Sequence, residues 1–118
     1  MPYIKSNDGR REALRNGDTA LTAGELNYQI FYFVKHNQEN YLTEQTYDIV
    51  KNYVKAFLGD KPNYQRYNDV TGALIRCYVE IKRRLNIQLD ILIDIAASYD
   101  DEIASYETKK CKENGDVE

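Results

Sequence analysis

The chain has 118 residues, with 16 basic against 19 acidic side chains and a net charge of -3. It is read as one domain with its own core and no global attraction for nucleic acid or an anionic membrane. One histidine and two widely spaced cysteines, Cys77 and Cys111, exclude a recognisable zinc site or disulfide framework and suit a reducing compartment.

The opening, MPYIKSNDGRRE, has no apolar core of an export leader, and no window reaches the roughly 18 consecutive apolar residues of a membrane span. Residues 8–16 predict a short polar helix, little buried, stopped by Asn16-Gly17. The next helix is expected at about 22–37, opened by the capping box Thr22-x-x-Glu25, in which each side chain satisfies a backbone amide at the helix start. Its main stripe is Leu26, Ile30, Phe33 and Val34. Tyr28, Phe31 and Tyr32 widen the apolar surface past one face, so this helix is expected to be the most buried.

Thr43 is placed to cap a third helix whose stripe runs Tyr47, Val50, Val54, Phe57 and Leu58, with Leu42 stapled onto Tyr47. Gly59 ends it, and Pro62 follows. From about Asn63 a fourth pattern runs Tyr67, Val70, Leu74, Cys77, Tyr78, Ile81 and Leu85. Cys77 falls inside that stripe and reads as a small core hydrophobe.

The stretch LNIQLDILIDIAASYDDEIASY, residues 85–106, alternates like a strand in its first half and repeats like a helix in its second. No glycine or proline lies between Gly72 and Gly115 to turn a hairpin, and Leu85, Leu89, Leu92, Ile95, Tyr99, Ile103 and Tyr106 step by three or four residues. Helix is the expectation. An unbroken helix over 64–108 would measure roughly 65 Å, more than twice the diameter of a compact chain of this size. Either the rod breaks near Asn86 and folds back, or it projects and a second copy covers it. The second is favoured, with Leu85, Leu89, Leu92, Ile95, Tyr99 and Ile103 as the face of a two-fold dimer. Asp90 and Asp94 mark the solvent side and read as no metal pair. The resulting architecture is all-α, a small helical bundle over 1–118 with one long carboxy-terminal helix and a polar tail at 112–118.

Several short runs occur in a recognisable order: Met1-Pro2-Tyr3-Ile4-Lys5, Gly24-Glu25-Leu26-Asn27-Tyr28, Asn68-Asp69-Val70-Thr71-Gly72-Ala73-Leu74, Lys82-Arg83-Arg84, Tyr106-Glu107-Thr108-Lys109-Lys110 and Glu113-Asn114-Gly115-Asp116-Val117. In these the chain resembles a family of short uncharacterised phage and prophage proteins. Against that pattern residues 85–104 look inserted and the region around 37–50 expanded. The resemblance implies a virus-associated origin, a small and mostly helical fold, a bacterial cytoplasm as the setting, and an Asn114-Gly115 turn docked against the body. It brings no function.

Candidate chemistry is sparse. His36 sits at a helix end, where an imidazole caps carbonyls. No base stands beside a serine or cysteine in a nucleophilic pattern, and Asp8-Gly9 and Gly17-Asp18 read as ordinary turns rather than a phosphate loop. Asp100-Asp101-Glu102 reads as a solvated acidic corner, or else as bait for a basic partner. Arg76, Arg83 and Arg84 share one helix, Lys109 and Lys110 follow in the tail, and with Tyr28 they form the candidate ligand or partner site; the plainer alternative is that Arg83 and Arg84 pair with Glu80 and its acidic neighbours.

No cofactor or metal is called for. The leading expectation is a non-enzymatic accessory protein of a phage, self-associating, that binds and inhibits a host or anti-phage defence component. The alternatives are a sponge for a small anionic nucleotide signal, cyclic or ADP-ribose-like, and a minor virion or assembly protein.

Overall fold

The computed structural model describes residues 9–37 and 44–115. Among the described residues there are six helices and no strand: α1 (Gly9–Arg15), α2 (Ala23–Lys35), α3 (Glu44–Leu58), α4 (Tyr64–Leu85), α5 (Ile91–Ala97) and α6 (Asp100–Asn114). The all-α bundle expected from the periodicity is therefore present. Leu42 and Thr43, expected to staple and cap α3, lie outside the described residues.

Local chemistry accounts for the helix ends. Thr22 Oγ1 accepts from the Glu25 amide at 3.1 Å, the first half of the expected capping box. The return bond differs: a Glu25 carboxylate oxygen takes the Leu21 amide at 2.9 Å, one residue earlier, because that carboxylate is also held by Arg10. Asn63 caps α4 by accepting from the Arg66 amide at 2.9 Å. Gly59 ends α3 at φ 72°, a conformation that penalises any side chain, with its amide donating to the Lys55 carbonyl.

The α2 helix is buried without interruption from Leu26 to Phe31, and again at Val34. It runs parallel to α4, since the Cys77 thiol meets the Asn27 carbonyl low on the pair and the Arg84 guanidinium covers the Phe31 ring one turn higher. Val50, Val54, Phe57 and Leu58 of α3 close the core with Val70, Leu74, Cys77 and Ile81 of α4. The α1 helix is little buried, as expected: Leu14 alone of its residues is fully enclosed, and the Gln29 amide of α2 holds the helix end by donating to the carbonyls of Leu14 (2.9 Å) and Asp18 (2.8 Å).

Of the two alternatives for residues 64–108, the break near Asn86 is the one present. Asn86 adopts the left-handed conformation (φ 55°, ψ 39°), its amide donates to the Lys82 carbonyl, and the chain turns back along α4. Asparagine tolerates that conformation better than other residues with a Cβ, so the corner needs neither glycine nor proline. The strand-like alternation is then real over four residues, where helix was expected. Ile87 and Leu89 are buried while Gln88 and Asp90 are exposed, in an extended link rather than a strand. The helical repeat takes over in α5 and α6. The longest dimension of the molecule is 46 Å, well short of the projected rod.

The fold-back also corrects the self-association face. Leu89, Leu92 and Ile95 are completely buried within the one chain, and Leu85, Tyr99 and Ile103 are half-buried. The chain's own core thus covers three of the six residues assigned to a second copy. Two smaller expectations change as well. Lys112, Glu113 and Asn114 belong to α6 rather than to a tail. The Asn114-Gly115 turn is exposed rather than docked. What ties α6 to the body lies earlier, where Tyr106 packs on Tyr64 and Tyr67 and its hydroxyl donates to the Pro62 carbonyl at 3.4 Å.

Candidate anion-binding pocket

The last turns of α1, α2 and α4 meet around a cavity of about 210 Å³. Arg11 and Arg15 enter from α1, Lys35 and His36 from the end of α2, and Arg84 from the end of α4. The aromatic floor is Tyr28, Phe31 and Tyr32, all on α2. Among the described residues no carboxylate lines it.

The α1 helix is short and could not hold its arginines in place by itself, so its anchoring matters. Arg10 forms a two-point pair with Glu25, Nε to Oε2 and Nη2 to Oε1, both at 2.9 Å, and also donates to the Thr19 carbonyl at 2.7 Å. The pairing holds the Glu25 carboxyl below its ordinary range, helped by the Leu21 amide. With Gln29 holding the other end, α1 lies fixed on α2. Arg11 and Arg15, one turn apart, therefore both face the cavity.

Inside the pocket each ring carries a cation. The Arg15 guanidinium sits 4.7 Å from the Tyr32 ring centre and 6.0 Å from that of Tyr28. Its Nε donates to the Tyr28 hydroxyl at 2.7 Å, which holds the guanidinium above its usual range. Arg11 lies 5.3 Å from the Tyr28 ring and Arg84 4.8 Å from the Phe31 ring. The His36 imidazole lies tilted by 36° against the Tyr32 ring, centroids 4.2 Å apart, while its backbone amide closes the helix end on the Tyr32 carbonyl. The rings thus act as platforms that spread the guanidinium planes and hold them in position.

A plainer role for these cations exists and can be sized. Three helix C-termini point into this region, each worth up to about half a negative charge, so that about -1.5 calls for neutralisation. Arg11, Arg15, Lys35 and Arg84 bring four formal positive charges. Glu12 also acts on Arg15, so helix ends and acidic neighbours share these cations beside the aromatic floor.

Of the residues singled out in the sequence, Tyr28 and Arg84 come together here. Arg83 is exposed next to Arg84 and does not line the cavity. Arg76 lies two turns back, pairing with the buried Glu80 at 3.6 Å. Lys109 and Lys110 are exposed on α6, beyond Tyr106, near the opposite end of α4. Sequence reasoning missed Arg11, Arg15, Tyr32, Lys35 and His36 as a set. The available signal was a basic residue in the last turn of each helix, which shows only once the three ends are known to point the same way.

A second aromatic cluster lies at the opposite end of α4. Tyr67 stacks obliquely on Tyr99 (5.9 Å) and Tyr106 (6.1 Å), and Lys51 lies over the Tyr99 ring while its ammonium donates to the Ser98 hydroxyl. This joint between α3, α4 and α6 accounts for several of the eleven tyrosines. The acidic residues Asp101 and Glu102 flank it, exposed in the first turn of α6, where they favour the helix N-terminus.

A family model described as "Domain of unknown function (DUF6899)" matches residues 1–117. No curated protein and no solved structure matches the chain.

Proposed function

The chain belongs to the DUF6899 family, which brings it no activity, and from the pocket itself we propose that it is a non-enzymatic binding protein that sequesters a small phosphate-bearing metabolite. The carrying observation is the convergence of Arg11, Arg15, Lys35 and Arg84 over three aromatic rings in one cavity. Arginine is suited to such a site because its planar fork of donors matches phosphate oxygens, and here ring platforms already hold the forks in place. The phage setting implied by the motif resemblance belongs to the same reading: a virus-borne sponge that lowers the free concentration of a host nucleotide signal in the bacterial cytoplasm.

The test is thermal unfolding of the purified chain with inorganic phosphate, ADP, ADP-ribose and a cyclic dinucleotide. A ligand at a hundredfold excess over its Kd stabilises by about 2.7 kcal/mol, which raises Tm by several degrees. Stabilisation that disappears in Arg15→Ala supports the reading. An unchanged Tm across the whole panel defeats it.

A second reading, inhibition of a host or defence protein by direct binding, has one observation in its favour. Ile75 and Val79, one turn apart on α4, are 45% and 44% exposed. If that strip is the contact, Val79→Asp abolishes capture of a single dominant host protein while leaving Tm unchanged; equal capture by both forms removes this reading.

A further inference from the structure

The outer face of α4 carries a seven-residue repeat that no part of the core covers. Asn68, Gly72, Ile75, Val79 and Lys82 follow one another at alternating steps of four and three, and all are exposed. This spacing keeps one stripe of a helix turned toward a neighbouring helix. At its centre stand the aliphatic side chains Ile75 and Val79. Gly72 sits within a 22-residue helix, where glycine is the least favourable residue after proline. The fold gives it no reason to be there: its φ is not positive, and among the described residues nothing stands within 4 Å of the place a Cβ would take. A glycine on an open helix face leaves room for something to come close from outside.

We propose that this stripe is the contact between two copies of the chain, packed α4 against α4 in antiparallel sense about a two-fold axis. Charge selects a second copy and its direction. Apart from the buried Glu80, Asp69 is the only acidic residue of α4 and lies near its start, while Lys82 and Arg83 lie exposed near its end. Among the described residues neither Lys82 nor Arg83 has an ion-pair partner. Asp69 accepts from the Gln65 amide at 2.8 Å and keeps lone pairs for an arginine. A parallel pair would set like charge against like. An antiparallel pair centred on the helix sets Asp69 against the partner's Arg83, and symmetry makes that contact twice. The same register sets Ile75 against the partner's Val79 and lays the aliphatic stem of Lys82 across the gap at the partner's Gly72. Arg76, the cation nearest the axis, is paired with Glu80 of its own helix at 3.6 Å, which lessens its repulsion of the partner's Arg76. With two aliphatic side chains from each copy at its centre, the contact is small and the pairing weak. It does not depend on the anion pocket, and it gives the Ile75–Val79 strip an occupant other than a host protein.

The experiment is sedimentation equilibrium of the full chain from about 1 µM to about 1 mM, the range of weak and transient pairs. The mass is expected to rise from 13.8 kDa toward twice that value. Val79→Asp is expected to keep the chain monomeric throughout. Asp69→Arg alone and Arg83→Asp alone are each expected to weaken pairing about tenfold, because each replaces two attractions by two repulsions. The double variant, Asp69→Arg with Arg83→Asp, is expected to recover it, since the exchange restores both pairs; a variant weakened only by damage to the fold would not recover. Should Val79→Asp fail to fold, the exchange of charges decides by itself. A mass of 13.8 kDa at every concentration overturns the pairing and leaves the strip to a partner of another kind. A dimer that none of these variants disturbs overturns this face as the contact, and a double variant as weak as the single ones overturns the antiparallel register.

Discussion

The Arg15 Nε donates to the Tyr28 hydroxyl at 2.7 Å across the seam between α1 and α2. One bond thereby sets the orientation of a pocket cation and ties a seven-residue helix to the bundle. Tyr28→Phe keeps the ring and removes the acceptor. The expected outcome is a fall in Tm, together with weaker anion binding because the Arg15 fork is no longer steered. A variant that loses stability but binds anion unchanged would show that Tyr28 only braces α1.

The Arg10–Glu25 pair gives the same seam a pH dependence. Glu25 is held below its ordinary value of 4.5, first by the Arg10 hydrogen bond and then by the Leu21 amide. A carboxyl with a depressed folded-state value stabilises the fold above its unfolded value, and that contribution is lost as pH falls through the folded value. Acid denaturation of the native chain should therefore steepen below about pH 4.5. Glu25→Gln should flatten the acid limb and cost about 1.5–3 kcal/mol at neutral pH, as expected for hydrogen bonds to a charged group. Urea midpoints measured across pH 3 to 7, roughly spanning the carboxylate range, provide the check.

How far the sequence was legible depends on what each signal encodes. Thr22, Gly59 and the α3 and α4 stripes were readable because caps and periodicity are local, and the structure places them where the pattern does. The break near Asn86 was legible from length alone, as one of two alternatives, but the projecting rod with a dimer face was preferred to it. A search for glycine and proline passes over the device that makes the corner, an asparagine in the left-handed region. The pocket was half-legible: Tyr28 and Arg84 stand out for their chemistry, but Arg11 and Arg15 sit in a short polar helix that gives no sign of where it packs. Their role depends on Gln29 and Glu25 reaching across to α1, a tertiary fact with no periodic signature.

The Asn86 corner makes its own prediction. Asn86→Gly should be neutral or slightly stabilising, whereas Asn86→Val should cost about 1–2 kcal/mol, because a β-branched side chain is forced into left-handed backbone. Chemical denaturation of both variants decides it. Equal stability of the two would mean that the turn is not held in that conformation in solution.

Burial of Leu92 and Ile95 within the chain separates an internal core from a subunit interface. Leu92→Ala should destabilise by about 2–5 kcal/mol, the usual cost of truncating a fully buried leucine. The urea midpoint of the variant should respond to protein concentration no differently from that of the native chain, since Leu92 is already enclosed by its own chain. A rise with concentration that is lost in Leu92→Ala would place the side chain at a contact between copies.

The two cysteines should differ sharply in reactivity. Burial pushes the Cys77 thiol up to about 12, and its Sγ lies against the Asn27 carbonyl at 3.9 Å; Cys111 is partly exposed on α6. Since the thiolate is the reacting species, an alkylating reagent at pH 8 should label Cys111 quickly and Cys77 only as fast as the core opens. The same shift acts on stability from the alkaline side. A thiol whose folded value is raised from 9.0 to about 12 favours the fold below its unfolded value. That support is lost as pH rises through the window between the two, because the unfolded chain alone releases the proton. Tyr53, Tyr67 and Tyr99, all raised by burial, push in the same direction above their ordinary value of 10.0. Cys77→Ala should therefore lose some packing at neutral pH yet show a shallower fall in Tm between pH 9 and 11. Mass-spectrometric labelling and alkaline melting curves measure the two effects independently, and rapid labelling of Cys77 in the native chain would mean that α2 and α4 do not pack as described.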